Sequence, residues 1–254
     1  MINLDNLCFS YGKNVVFSNL SASFDKGELC CIVGVNGSGK STLLRLISGS
    51  LKPSSGNISI DGKCLNSFTY CERSKNLAFL PQVRDTVSMT VRDIVSLGRF
   101  PYSGLIGDFE KDDEDAVISA LDSVNASDLI NRNLSELSGG ERQRVYLAMI
   151  IAQDTPYVLL DEPTTFLDIS NVYDMMDLIT ALKKAGKCVL AVTHDISLAL
   201  EYADKLLVVD KKKRFAELLT PDEAIDSGTV EQVFGVGFIK SVIHGKIKYL
   251  PYRK

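Results

Sequence analysis

Eight consecutive residues, Gly34-Val35-Asn36-Gly37-Ser38-Gly39-Lys40-Ser41, have the types and spacing of a phosphate cradle. Glycines let the backbone close tightly enough to aim its N–H groups, and the start of a following helix, at phosphate oxygens. Lys40 would neutralise the β- and γ-phosphates of a nucleoside triphosphate, and Ser41 would hold its Mg²⁺. A glycine-rich turn with a chance Lys-Ser is the alternative. The apolar run before the motif and the apolar helix after it (Leu43, Leu44, Leu46, Ile47) weigh against that alternative. A second constellation is Asp161-Glu162, which closes another apolar run just before Pro163. Adjacent carboxylates at a strand end are costly unless a cation or proton compensates them. Beside Mg²⁺·ATP, Asp161 would act on the metal or its waters and Glu162 as general base toward the attacking water. The alternative is a solvated acidic loop. Third, Ser138-Gly139-Gly140-Glu141 reads as a capping box opening a helix through Val145, Ala148 and Ile151. Its two glycines leave bare N–H groups at a positive helix end, a receptor for an anion. Those four residues alone fit a plainly capped helix equally well.

Three short apolar runs must position these groups: Leu29–Val33, Tyr157–Leu160 and Cys188–Val192, the last closing on Thr193-His194. Continuous hydrophobicity predicts strands buried on both faces, as in a parallel sheet under helical cover. Ligands of open α/β sheets gather at the carboxyl ends of the strands, so the closing polar residues are expected at one site. Asn3–Phe9, Val15–Phe24 and Asn57–Ile60 are shorter β-like pieces broken by turn residues, and predict a partly antiparallel layer beside that core. Between Gln82 and Leu137 the pattern turns helical. Thr90 caps a helix carrying Val91, Ile94, Val95 and Leu97, and Ala116–Val124 forms another behind an acidic start, Glu110–Asp115. The expected fold is therefore α/β: a P-loop NTPase with a mostly parallel core, an antiparallel β layer and an inserted helical subdomain at about 85–155.

At 254 residues, 45% apolar, the chain can bury a full core, and its composition is not that of a disordered protein. No stretch approaches the roughly 18 apolar residues of a bilayer span, and Met1–Tyr11 lacks the pattern of a signal peptide. A net charge of −4 argues against duplex nucleic acid as a partner. The six cysteines make no Cys-x-x-Cys pair and there are two histidines, so zinc is not expected and the thiols read as reduced core fillers. Lys211-Lys212-Lys213-Arg214 reads as a solvated turn after a strand.

Leu137–Arg144 (LSGGERQR) resembles the signature of ATP-binding cassette (ABC) ATPases, and follows the P-loop in that family's order. Tyr11 resembles the aromatic that stacks on adenine, Gln82 in Phe79-Leu80-Pro81-Gln82 the Q-loop, Leu167-Asp168 the D-loop and His194 the switch histidine. The likeness spans about residues 2–238, and leaves a tail, 239–254, that reads as strand-like without assignable function. It implies nucleotide contacts from Tyr11, Gly34, Val35, Asn36, Gly37, Ser38, Gly39, Lys40, Ser41 and Thr42. Mg²⁺ would be held by Ser41, Gln82 and Asp161, and chemistry carried by Glu162, His194 and Gln82. The resemblance further implies a head-to-tail homodimer in which Ser138, Gly139, Gly140 and Asp168 reach the nucleotide of the other copy. Val35 departs from the family, standing where many relatives have Pro. The short interval between Gln82 and Leu137 excludes the coiled-coil insertion of chromosome-maintenance relatives. What remains is a separate ATPase subunit, peripheral on the cytoplasmic face of an inner membrane. It would serve integral-membrane permease subunits and, through them, a substrate-binding protein. Met89–Tyr102, Glu162–Ile169 and His194–Leu200 are similar to ATPases of importers for iron(III) chelates (siderophore, citrate or haem) and cobalamin. A zinc or manganese transporter, or a soluble non-transport ABC ATPase, is the second expectation. A P-loop kinase would leave Ser138–Glu141 and His194 without a role.

Overall fold

The computed structural model describes residues 1–82, 88–102, 109–212 and 215–253. The chain enters as an antiparallel hairpin of β1 (Ile2–Tyr11) and β2 (Asn14–Phe24), with Ile2 opposite Phe24. It then dives into β3 (Leu29–Gly34), every residue of which is buried, and after the glycine-rich loop rises into α1 (Lys40–Ile47). Strands β4 (Ser55–Ile60) and β5 (Lys63–Cys64) return to the hairpin and complete a four-stranded antiparallel sheet in the order β2-β1-β4-β5. Helix α2 (Tyr70–Asn76) leads into β6 (Leu77–Leu80). Three helices follow among the described residues: α3 (Val91–Ser96), α4 (Lys111–Ser123) and α5 (Gly139–Gln153).

The second half alternates: β7 (Tyr157–Asp161), α6 (Ile169–Lys184), β8 (Cys188–Val192), α7 (Ile196–Tyr202) and β9 (Lys205–Asp210). Strand β10 (Phe215–Leu219), helices α8 (Pro221–Asp226) and α9 (Thr229–Phe234), and a hairpin of β11 (Gly237–Ile243) and β12 (Lys246–Tyr252) complete the fold. The second sheet has the order β10-β9-β3-β8-β7-β6, parallel throughout except for antiparallel β10. Its strands alternate faces with the period of two that a pleat imposes. Leu29, Cys31 and Val33 join a buried cluster with α3–α6. Cys30 and Ile32 point the other way, into a cluster with α1 and the antiparallel sheet. Burial on both sides is why these strands read as unbroken apolar runs.

The helical section follows its caps. Thr90 accepts from Asp93 N–H while the Asp93 carboxylate returns to Thr90, and Glu110/Asp113 and Ser138/Glu141 repeat the arrangement. Two expectations shift. Leu97 lies beyond α3 in a 3₁₀ turn and is exposed, because the helix tightens there to bring Gly98 against α5. Of the acidic residues expected ahead of the second helix, Glu110 is the N-cap of α4 and Asp112–Asp115 lie inside it, where carboxylates of the first turn meet its positive end. Positions 85–87 and 103–108 of the expected subdomain, and Lys213 and Arg214 of the basic run, lie outside the described residues; Lys211 and Lys212 form an exposed turn after β9. The boundary expected at 238/239 falls within β11, and Phe238 is buried in the main cluster.

Gly98 gives a test of that helical packing. A Cβ there would stand 2.3 Å from the Met149 carbonyl oxygen and 3.1 Å from the Gln153 nitrogen, both backbone atoms of α5. Gly98→Ala is expected to lower stability by about 1–3 kcal/mol through overpacking, read as a lower denaturant midpoint at unchanged slope.

Candidate functional site

Four elements bring the chemistry together. The loop after β3 and the first turn of α1 supply Asn36–Thr42, the end of β6 supplies Gln82, and the ends of β7 and β8 supply Glu162 and His194; these ten residues line one cleft of about 450 Å³. The parallel register explains the convergence, since Asp161 sits opposite Val192 and Leu80 opposite Leu160, so the strands end side by side. The antiparallel sheet holds the loop from behind. Gly39 sits at φ +104°, and a Cβ there would come within 2.5 Å of Val16 Cγ1 on β2, so the position demands glycine both sterically and conformationally.

Within the loop, Lys40 is buried and donates to the carbonyl oxygens of Gly34 (2.8 Å) and Val35 (3.3 Å). Burial pulls its pKa below the usual lysine value, and the nearby carboxylates of Glu162 and Asp161 offset part of that. Ser41 Oγ donates to Asp161 Oδ1 at 2.9 Å. Burial raises the Asp161 pKa, and the Ser41 hydrogen bond opposes the rise. The hydroxyl of Ser38 is buried and has no hydrogen-bond partner among the described residues, although it sits within the loop that cradles the cleft. An unsatisfied buried hydroxyl among converging backbone donors fits a phosphate oxygen as the missing acceptor. Ser41 and Asp161 are likewise hard oxygen donors of the kind Mg²⁺ takes.

Glu162 stands at the centre of the far wall. Its Oε1 pairs with His194 Nε2, and its Oε2 accepts from Gln82 Nε2 at 2.7 Å and from Thr165 Oγ1 at 3.0 Å. The carboxylate is thus aimed by three neighbours while its backbone sits at φ +57°. Such a held group, facing a cleft, can accept a proton from a water placed there.

The remaining expected residues are elsewhere. Tyr11 ends β1, half-exposed and edge-to-face on Phe9 (centroids 4.8 Å apart), outside the cleft lining. Val35 is exposed, and neither it nor Gly34, the last residue of β3, lines the cleft. Ser138, Gly139, Gly140 and Asp168 are not in this cleft but lie beside one another: a Cβ on Gly139 would be 3.5 Å from the Phe166 carbonyl oxygen, and one on Gly140 would be 3.2 Å from the Asn171 amide. Asn171 joins the two segments, donating through Nδ2 to Asp168 Oδ1 (2.8 Å) and accepting from Arg144 Nη1 (3.4 Å). Sequence reading missed Thr165 and Asn171. Neither carries a signal in one sequence, since each acts through a partner that only the fold supplies.

A family model described as ABC transporter matches residues 17–165. The ferric enterobactin transport ATP-binding protein of Escherichia coli is 36% identical over 234 residues, covering 91% of this chain and 86% of that protein. Among solved structures, the chain superposes on a transporter assigned to the metal-chelate ABC type, in an inward-facing conformation, with a TM-score of 0.86 and 26% identity, covering 100% of this chain and 98% of that one. A bacterial ABC transporter cassette solved as a dimer matches with a TM-score of 0.76 and 27% identity, covering 87% and 99%.

Proposed function

The chain belongs to the ABC transporter family as an ATP-hydrolysing subunit, and from that premise we propose that it drives uptake of an iron(III) chelate through a separate membrane permease. The observation that carries this reading is the single cleft in which Lys40, Ser41, Gln82, Glu162 and His194 meet. A triphosphate laid along the Asn36–Thr42 loop gives Ser38 its missing acceptor and frees Lys40 from the Gly34 and Val35 carbonyls to meet phosphate oxygens instead. Tyr11 stacks on the adenine. Ser41, Asp161 and Gln82 hold Mg²⁺, which when bound neutralises charge on the β- and γ-phosphates. Glu162 takes the proton of the attacking water, and His194 holds that carboxylate in place.

The Ser138–Gly140 turn and Asp168 serve a second copy of the chain. They offer helix-end N–H donors and a fixed carboxylate that their own cleft does not use, and a relative has been solved as a dimer. ATP held between two copies joins surfaces that otherwise stay hydrated, so binding closes the pair and hydrolysis opens it. None of the described helices is long and apolar enough to cross a membrane. The transport path is therefore assigned to integral-membrane permease subunits, with this chain on the cytoplasmic face of the inner membrane and a substrate-binding protein delivering cargo to the far side. The cargo class rests on kinship with a ferric-chelate ATPase and a metal-chelate transporter. Zinc or manganese transport, and a soluble non-transport role, are the competing readings.

Reconstitution of the purified subunit with its permease in proteoliposomes tests this. ATP is expected to drive accumulation of a radiolabelled ferric siderophore, and to leave free ⁶⁵Zn²⁺ and ⁵⁴Mn²⁺ outside. Uptake of the free divalent ions without the chelate would replace the cargo assignment, and ATP turnover indifferent to any permease would remove the transport role.

A further inference from the structure

Lys211 and Lys212 follow β9, and neither lines the cleft. The fold nonetheless brings their turn to its edge. Strand β9 runs beside β3 in parallel register, with Val209 opposite Gly34, so the turn after β9 starts where the phosphate loop starts. The approach is close: a Cβ on Gly34 would stand 2.5 Å from the Val209 carbonyl oxygen. Asp210, the last residue of β9, is buried, and its carboxylate accepts from the Lys212 N–H at 2.7 Å, which folds the turn back on the strand end. From that turn the Lys211 side chain leans on the loop. Its Nζ is 3.3 Å from the point where a Cβ on Gly37 would stand.

Gly37 makes this possible. It lines the cleft at φ +71°, a backbone region that favours glycine, and with no Cβ it leaves the ammonium against bare backbone rather than a methyl group. Lys211 is exposed and makes no ion pair among the described residues, so no carboxylate there accounts for its place. What it stands against is a loop whose converging donors suit an anion, and which already carries Lys40. Cations gathered on one loop repel each other while the cleft is empty, and a polyphosphate gains from each of them. We propose that Lys211 is a further binding residue for the phosphate chain of ATP, acting across Gly37. The inference rests on the nucleotide reading above, and gives a part to a turn that its sequence marks only as solvated. The flexible lysine stem lets the point charge follow the phosphates as they arrive. Being exposed, this charge is screened by salt, whereas that of buried Lys40 is screened much less. A cation that meets bound nucleotide and transition state alike lowers KM and leaves kcat in place.

The test is equilibrium binding of a fluorescent ATP analogue with Mg²⁺ to the full chain, kept dilute so that single copies are read, at low and high ionic strength. Lys211→Gln is expected to weaken binding by about 5-fold at low salt, the scale of one surface cation facing several phosphate charges. The difference should close near about 1 M salt. Lys211→Arg keeps the charge and should stay close to the parent. Lys212→Gln removes the same charge from the same turn without the approach to Gly37, and is expected to cost clearly less. In steady-state hydrolysis, Lys211→Gln should raise the KM for ATP at parental kcat. Melting without nucleotide should not fall, because an exposed lysine without an ion pair is lost. Equal losses from Lys211→Gln and Lys212→Gln would reduce the effect to the general field of the turn and overturn the assignment. Parental affinity of Lys211→Gln at low salt would overturn it too, and weaker ATP-bound pairs of that variant would then give the ammonium to a second copy. A parent chain that ignores the analogue at every ionic strength would overturn the nucleotide reading itself.

Discussion

Glu162→Gln is expected to bind ATP with parental affinity, to turn it over at least about 10³-fold more slowly, and to accumulate as a species of twice the monomer mass when ATP and Mg²⁺ are present. The first effect follows from proton transfer. A general base contributes roughly 10²–10⁴-fold, and an amide cannot accept the proton. The second follows from the loss of the opening step, since the bridging nucleotide is no longer cleaved.

The geometry explains why the substitution should spare the fold. Glu162 Oε2 accepts from Gln82 and Thr165, and a glutamine carbonyl oxygen can accept both bonds. Its amide nitrogen then faces His194 Nε2, which accepts when the ring proton sits on Nδ1. All three neighbours keep a partner, so melting should stay within about a degree or two of the parent. Phosphate-release kinetics and size-exclusion chromatography with light scattering read both effects. Normal phosphate release would remove Glu162 from the role of base, and a monomer peak at saturating ATP would separate hydrolysis from pairing.

What one sequence discloses here depends on whether a position is governed by its neighbours in the chain or by distant ones. Leu29–Val33, Tyr157–Leu160 and Cys188–Val192 were legible because burial on both faces leaves an unbroken apolar run, and their parallel register carries Asp161, Glu162 and His194 to one edge. Ser138–Glu141 was legible because a capping box is local. Leu97 was misplaced since its helix ends under pressure from α5, a contact that no local pattern encodes. The left-handed backbone at Glu162 and Phe166 was not legible either, as neither residue type favours it. Asn171 shows the same limit more sharply. Its amide matters only because the fold lays α6 against the first turn of α5, where Gly140 has no side chain to push it away.

Lys40→Met should behave oppositely in binding and in stability. Lys40 is a buried cation whose pKa is pulled below the ordinary 10.5 by desolvation, so the nucleotide-free fold carries a cost for keeping it charged at neutral pH. Two carbonyl oxygens and the Glu162 and Asp161 charges offset that cost without cancelling it. Methionine fills a similar volume without charge, so the melting temperature without nucleotide is expected to rise by about 2–4 °C for each kcal/mol of cost removed. ATP affinity should meanwhile fall, and turnover by at least about 10²-fold, with the cation proposed to meet the β- and γ-phosphates gone. The pH dependence has a definite sign. Because the folded-state pKa lies below the unfolded one, raising pH from neutral toward 10.5 strips the proton from the native lysine before the unfolded one. The unfolded state then binds more protons, the parent gains stability, and its deficit against the Met variant shrinks. Calorimetric melting from pH 7 to 10 checks this directly, and a gap that widens with pH would mean that Lys40 is held by its partners more strongly than burial disfavours it.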